Sequence, residues 1–101
     1  MQLIQILLPL YDNEGREQPS ELFGGVRRRL TERFGGLTTY SRTPAQGLWK
    51  DEGETHRDDI VVFEVLADEV DKEWWAAYRR RLEQGFRQEE IVIRAQETLL
   101  L

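Results

Sequence analysis

Ile60-Val61-Val62-Phe63-Glu64-Val65-Leu66 is the stretch on which the reading of this chain turns. A short run with one charged residue and mostly β-branched or aromatic side chains reads as a strand buried on both faces. Its place is therefore the centre of a sheet. The stretch Gln2 to Pro9 has the same character, broken only by Gln5 and closed by Pro9, and reads as a second interior strand.

Working outward, Asp12, Asn13 and Gly15 are turn residues. After them Leu22, Val26, Leu30 and Phe34 recur every four residues, with Phe23 alongside, which is the stripe of a helix facing a core. Pro19 suits the first helical turn and Gly35-Gly36 supplies a residue able to take positive φ at the end, so the helix is expected over Pro19 to Phe34. Leu37 to Arg42 reads as a strand that resumes at Leu48 and Trp49, and Pro44 within it assigns it to a sheet edge. Asp51 to Asp58 has no apolar residue and is expected to be a loop. Asp68 or Asp71 can cap a second helix whose inward stripe is Trp74, Trp75, Tyr78, Leu82 and Phe86, with Gly85 near its end. The last strand is expected from Ile91 to Gln96, followed by the apolar tail Leu99-Leu100-Leu101.

The order is therefore β, α, β, β, α, β. Two right-handed βαβ units form one antiparallel sheet only if the first and third strands lie in the middle. Those are the two most apolar strands, and the strand carrying Pro44 falls on an edge. The expected fold class is α+β: a ferredoxin-like βαββαβ sandwich, strand order 4-1-3-2, with both helices on one face, as one domain over residues 1–101.

Length and composition set the outer bounds. A chain of 101 residues can bury one core, and it has no cysteine for disulfides or thiolate metal sites. The first apolar run is far shorter than a membrane span and has no basic segment before it, so a cytoplasmic protein with no membrane partner is expected. Net charge is −5 with both signs interleaved, which argues against nucleic acid as partner. Arg27-Arg28-Arg29 and Arg79-Arg80-Arg81 read as solvated helix faces, with a local anion patch as the alternative.

Side chains alternate along a strand, so function is sought on the sheet face that the helices leave open. With Ile4, Ile6, Leu8, Val61, Phe63 and Val65 turned to the helices, the open face carries Leu3, Gln5, Leu7, Ile60, Val62, Glu64 and Leu66. This set is too apolar for water and points to an interface or a ligand groove. The candidate dimer face is Leu3, Gln5, Leu7, Ile60 and Val62, and the alternative cover is the C-terminal tail. Glu64 needs a partner, and Gln5 and Arg94 share its face in this register. The resulting row serves either to orient a ligand or as a structural ion pair at the interface.

Tyr40, Arg42, Trp49 and His56 bring stacking surface, a cation and an imidazole to the second strand and the segment after it; with Glu64 and Arg94 they make the candidate ligand pocket. The plainer reading of His56 is a solvated loop residue. No nucleophile stands in a G-x-S-x-G setting, no phosphate-loop pattern occurs, and Asp51, Glu52, Glu54, His56, Asp58 and Asp59 lack EF-hand spacing. No metal and no cofactor are expected, and the chain reads as leaning away from an enzyme. Gly24-Gly25 inside the first helix either allows close packing on the sheet or marks a later helix start.

Several families share this element order. RNA-recognition motif domains need aromatic residues where this chain has Leu, Ile, Val and Gln. Asp12-Asn13-Glu14-Gly15 resembles the turn after the first strand of ACT-type regulatory domains, although Pro19 falls where those are already helical. Phe34-Gly35-Gly36-Leu37-Thr38, Gly47-Leu48-Trp49 and Asp59 to Val65 resemble a family of small uncharacterised bacterial proteins of ferredoxin-like fold. That resemblance implies a fold and no activity. The architecture is also similar to dimeric α+β barrel proteins, which implies a sheet-to-sheet homodimer. Two functions are therefore expected: a small homodimeric module associating through its open sheet face, or a small-molecule-binding protein or cofactor-free enzyme with a cleft lined by Tyr40, Arg42, Trp49, His56 and Glu64.

Overall fold

The structure, a computed structural model, describes the backbone of residues 1–51 and 54–101 and the side chains of 1–39 and 59–101. Strand β1 (Gln2–Pro9) leads to helix α1 (Ser20–Phe34), then β2 (Thr38–Asp51), β3 (Glu54–Ala67), helix α2 (Lys72–Gly85) and β4 (Val92–Glu97). The four strands form one antiparallel sheet in the order β2-β3-β1-β4, as the sequence predicts.

The alternation in β1 and in the described part of β3 sorts their side chains. Ile4, Ile6, Leu8, Val61, Phe63 and Val65 are all buried beneath the helices. Phe23, Val26 and Leu30 of α1 and Trp75, Tyr78 and Leu82 of α2 close the core from above. Phe23 meets Phe63 and Phe86 edge-on, with ring centroids 6.5 and 5.3 Å apart, so one ring of α1 joins the sheet to the end of α2. Gln18 is the buried polar residue of this layer among those described; its side-chain amide donates to the Phe86 carbonyl at 3.0 Å, which offsets its desolvation.

Caps set the helix limits. Pro19 occupies the N-cap of α1 with extended ψ, one residue earlier than its expected place in the first turn. Gly35 closes α1 at φ 76°, its N–H donating to the Thr31 carbonyl at 2.8 Å. Of the two expected caps for α2, Asp71 serves: its carboxylate accepts from the Trp74 N–H at 3.1 Å and lies 3.5 Å from Arg33 of α1. Arg33 in turn lies 4.2 Å from the centroid of the Trp74 ring, so the Trp pair splits as its geometry requires. Trp75 is buried, while Trp74 stacks on Tyr78 and is covered by arginine.

Three expectations need correction. Asp51 to Asp58 is not a loop: β2 and β3 pair from Asp51↔Glu54 through Gly47↔Asp58, so most of the segment is strand. Lack of apolar residues does not exclude a strand pair, because ladder hydrogen bonds join backbone to backbone whatever the side chains are. The register shifts between Tyr40 and Ala45, bracketing Pro44, which cannot donate to the ladder of this edge strand. The last strand begins at Val92, with Ile91 buried just before it. Finally, both accounts of Gly24-Gly25 fail. The helix runs through them, and a Cβ built on either would meet nothing within 4 Å.

Candidate functional site

The register places Gln5 opposite Glu64 on one side and opposite Arg94 on the other. Residues directly across a ladder share a face. The side chains join: the Gln5 amide nitrogen donates to the Glu64 carboxylate at 2.6 Å, and its carbonyl accepts from Arg94 Nε at 2.8 Å. An amide is the side chain suited to this position, since it offers a donor to the anion and an acceptor to the cation at once. The result is a polar row across three strands, negative on β3 and positive on β4.

Apolar residues flank the row. Leu3, Leu7, Ile60 and Val62 are half-buried on this face, while Leu66 is 42% and Val92 46% exposed. Among the described residues the end of α1 comes near this face at Phe34, beside Leu3 and Leu66. The tail covers little of the face: Leu99 is 80% and Leu100 60% exposed, and Thr98 and Leu100 approach it at one end. There Leu3, Glu64, Leu66, Leu37, Thr38 and Leu100 line a cleft of about 500 Å³ against Phe34-Gly35-Gly36 at the end of α1. This cleft escaped the sequence reading because its walls come from the strand face, a helix terminus and the tail, which no local pattern links.

Of the sequence-predicted pocket, Glu64 and Arg94 stand in one row, bridged by Gln5. The side chains of Tyr40, Arg42, Trp49 and His56 lie outside the described residues. By backbone register Tyr40 pairs with Val62, next to the row, whereas Trp49 pairs with His56. His56 lies eight positions before Glu64 along β3, roughly 26 Å of extended chain. The acidic candidates from Asp51 to Asp58 also lie outside the described side chains. Among the described residues no group of three or more His, Cys, Asp or Glu could hold a metal ion.

No protein-family model matches the chain. No curated protein matches its sequence either. Solved structures do match in fold. A phage SAM lyase in its apo state aligns with a TM-score of 0.60 and 15% identity, over 95% of this chain and 79% of the lyase chain. The divalent cation tolerance protein CutA1 from Thermus thermophilus aligns at 0.59 and 13%, over 97% and 84% respectively. The PII-like protein CutA from a Nostoc species aligns at 0.54 and 16%, over 97% and 81%. Fold and neighbours together define the class: a small α+β protein of ferredoxin-like architecture. At these identities the likeness carries the fold and no more. No helix of the described residues is long and apolar enough to cross a membrane.

Proposed function

We propose that this chain is a self-associating module, a homodimer in its smallest closed form, whose copies meet through the open sheet face. The observation that carries this reading is the apolar set around Gln5, which the chain's own helices and tail approach only at the end formed by Leu3 and Leu66. Sheets packed face to face lie about 10 Å apart, close enough for side chains on the two faces to interdigitate. The polar row adds a reason for a second copy. A two-fold axis parallel to β1 and passing over Gln5 sets Glu64 against Arg94 of the partner subunit, and the reverse, so the face is self-complementary in charge as well as apolar.

Light scattering across a dilution series tests this. The wild type is expected to hold a stable assembly that Val62→Glu splits into monomers, because each copy would bury an unpaired carboxylate at the interface. Arg94→Glu, at an exposed position of the edge strand, guards against a folding defect. It should weaken association, and adding Glu64→Arg should restore it. A monomeric wild type at micromolar concentration, or association indifferent to both changes, refutes the reading.

A second reading rests on the cleft beside Glu64, whose volume suits a small molecule and whose walls are apolar apart from Glu64 and two threonines. It would make the chain a small-molecule-binding protein, with Tyr40 at its rim by register. One structural neighbour is a phage SAM lyase in complex with S-methyl-5′-thioadenosine, aligned at a TM-score of 0.60 and 15% identity. That compound is the first probe to titrate. Saturable binding lost in Glu64→Gln supports this reading, and no saturation to millimolar concentration rejects it for this ligand class.

A further inference from the structure

The two arginine runs and the unexplained glycines converge on one feature, on the side of the sheet opposite the self-association face. Between α1 and α2 runs a groove of about 330 Å³. Its floor is apolar, with Val26 and Phe86 both buried. Gly25 of α1 and Gly85 of α2 keep its walls low. A Cβ on Gly25 would enter open space, so the glycine makes no tight contact that would account for its cost to the helix. Arg28 and Arg29 from the first run and Arg81 from the second stand around the groove, against a single carboxylate, Glu32.

No salt bridge engages these three arginines among the described residues; the bridges formed there use the N-terminus and Arg16, Arg33 and Arg79. Arg29 lies 5.6 Å from the Trp74 ring centroid, which leaves its edge donors available. The Tyr78 hydroxyl feels the positive charge of both Arg29 and Arg81, which places guanidinium groups from two helices around one spot. Guanidinium forks match carboxylate and phosphate oxygens, and the low apolar floor accepts a flat body.

We infer that the groove between α1 and α2 binds a small organic anion: a flat apolar body seated against Leu22 and the low Gly25 and Gly85 walls, above Val26 and Phe86, with its phosphate held by Arg28, Arg29 and Arg81. The full chain, titrated with phenyl phosphate and followed through the Gly25 and Gly85 amide resonances, should saturate with one site per chain. Inorganic phosphate should bind at least tenfold more weakly, because it leaves the floor empty. Arg28→Gln combined with Arg81→Gln should weaken phenyl phosphate by tenfold or more without moving the melting temperature. Gly25→Ala is the decisive variant. It should raise the melting temperature while lowering the affinity, a pairing that a purely structural glycine does not give. Equal binding of the two phosphates, shifts that never saturate, or unchanged affinity in the arginine and glycine variants would each overturn the proposal. A Val62→Glu monomer keeps the groove, so this result is separable from the oligomeric state.

Discussion

Replacing Gly24 by alanine and replacing Gly35 by alanine are the same chemical change with opposite expected signs. Gly24 lies inside α1, its φ is not positive, and the added methyl meets nothing within 4 Å. The substitution therefore adds helix propensity without overpacking, a gain of about 0.8–1.0 kcal/mol. For a domain of this size 1 kcal/mol moves the melting temperature by roughly 4–8 °C. Gly35 holds φ at 76°, where an L side chain crowds the following carbonyl, and the same methyl there costs about 1–2 kcal/mol. The sites lie roughly 16 Å apart along the helix, so the double variant should fall near the sum of the two, slightly below wild type. Thermal unfolding followed by circular dichroism at one fixed protein concentration measures all three. A lowered melting temperature in Gly24→Ala would refute the reasoning, because something absent from this structure would then occupy the space beside α1.

Asp71→Ala should cost about 1 kcal/mol in chemical unfolding, since it removes the N-cap of α2 together with an exposed contact to Arg33. Burial pushes the Tyr78 hydroxyl up to about 12, against the lowering influence of Arg29 and Arg81. Its folded value lies above the ordinary 10, so the stability it contributes is complete below pH 10 and is lost as pH rises towards 12. Near-ultraviolet absorbance should show a late phenolate step that Tyr78→Phe removes. Gln18→Leu removes one of the two side-chain amides that donate to the Phe86 carbonyl, leaving Gln88 at 3.2 Å, and should destabilise by about 0.5–1.5 kcal/mol in urea, whereas an exposed change such as Glu21→Gln should not register.

The fold was legible because two independent patterns agreed. Period-two burial in Ile4, Ile6, Leu8 and Val61, Phe63, Val65 set the helix-facing side, and the four-residue recurrence from Leu22 to Phe34 set the helix that covers it. Pro44 added the edge. The failure at Asp51 to Asp58 has a definite cause. Sequence periodicity reports burial, and a pair of strands satisfies its backbone by pairing whatever its side chains are, so its composition need not differ from that of a loop.

The candidate sites divide along the same line. Glu64, Gln5 and Arg94 were accessible to sequence reasoning because one register, read from apolar alternation, brings all three onto a single face. The groove of Gly25, Arg28, Arg29 and Arg81 was not. Each arginine run, taken alone, is an ordinary solvated helix face, and each glycine, taken alone, is a local defect in a helix. Only the packing of α1 against α2 brings the two defects to one groove and turns the two runs toward each other. An added methyl would meet open space at Gly24 as well as at Gly25, so that sign alone marks no site. What sets Gly25 apart is its place: it lines the groove with Arg28, Arg29 and Arg81, and Gly24 does not. The two alanine variants are equal in helix propensity, so both should raise the melting temperature and only Gly25→Ala should lower the affinity for phenyl phosphate.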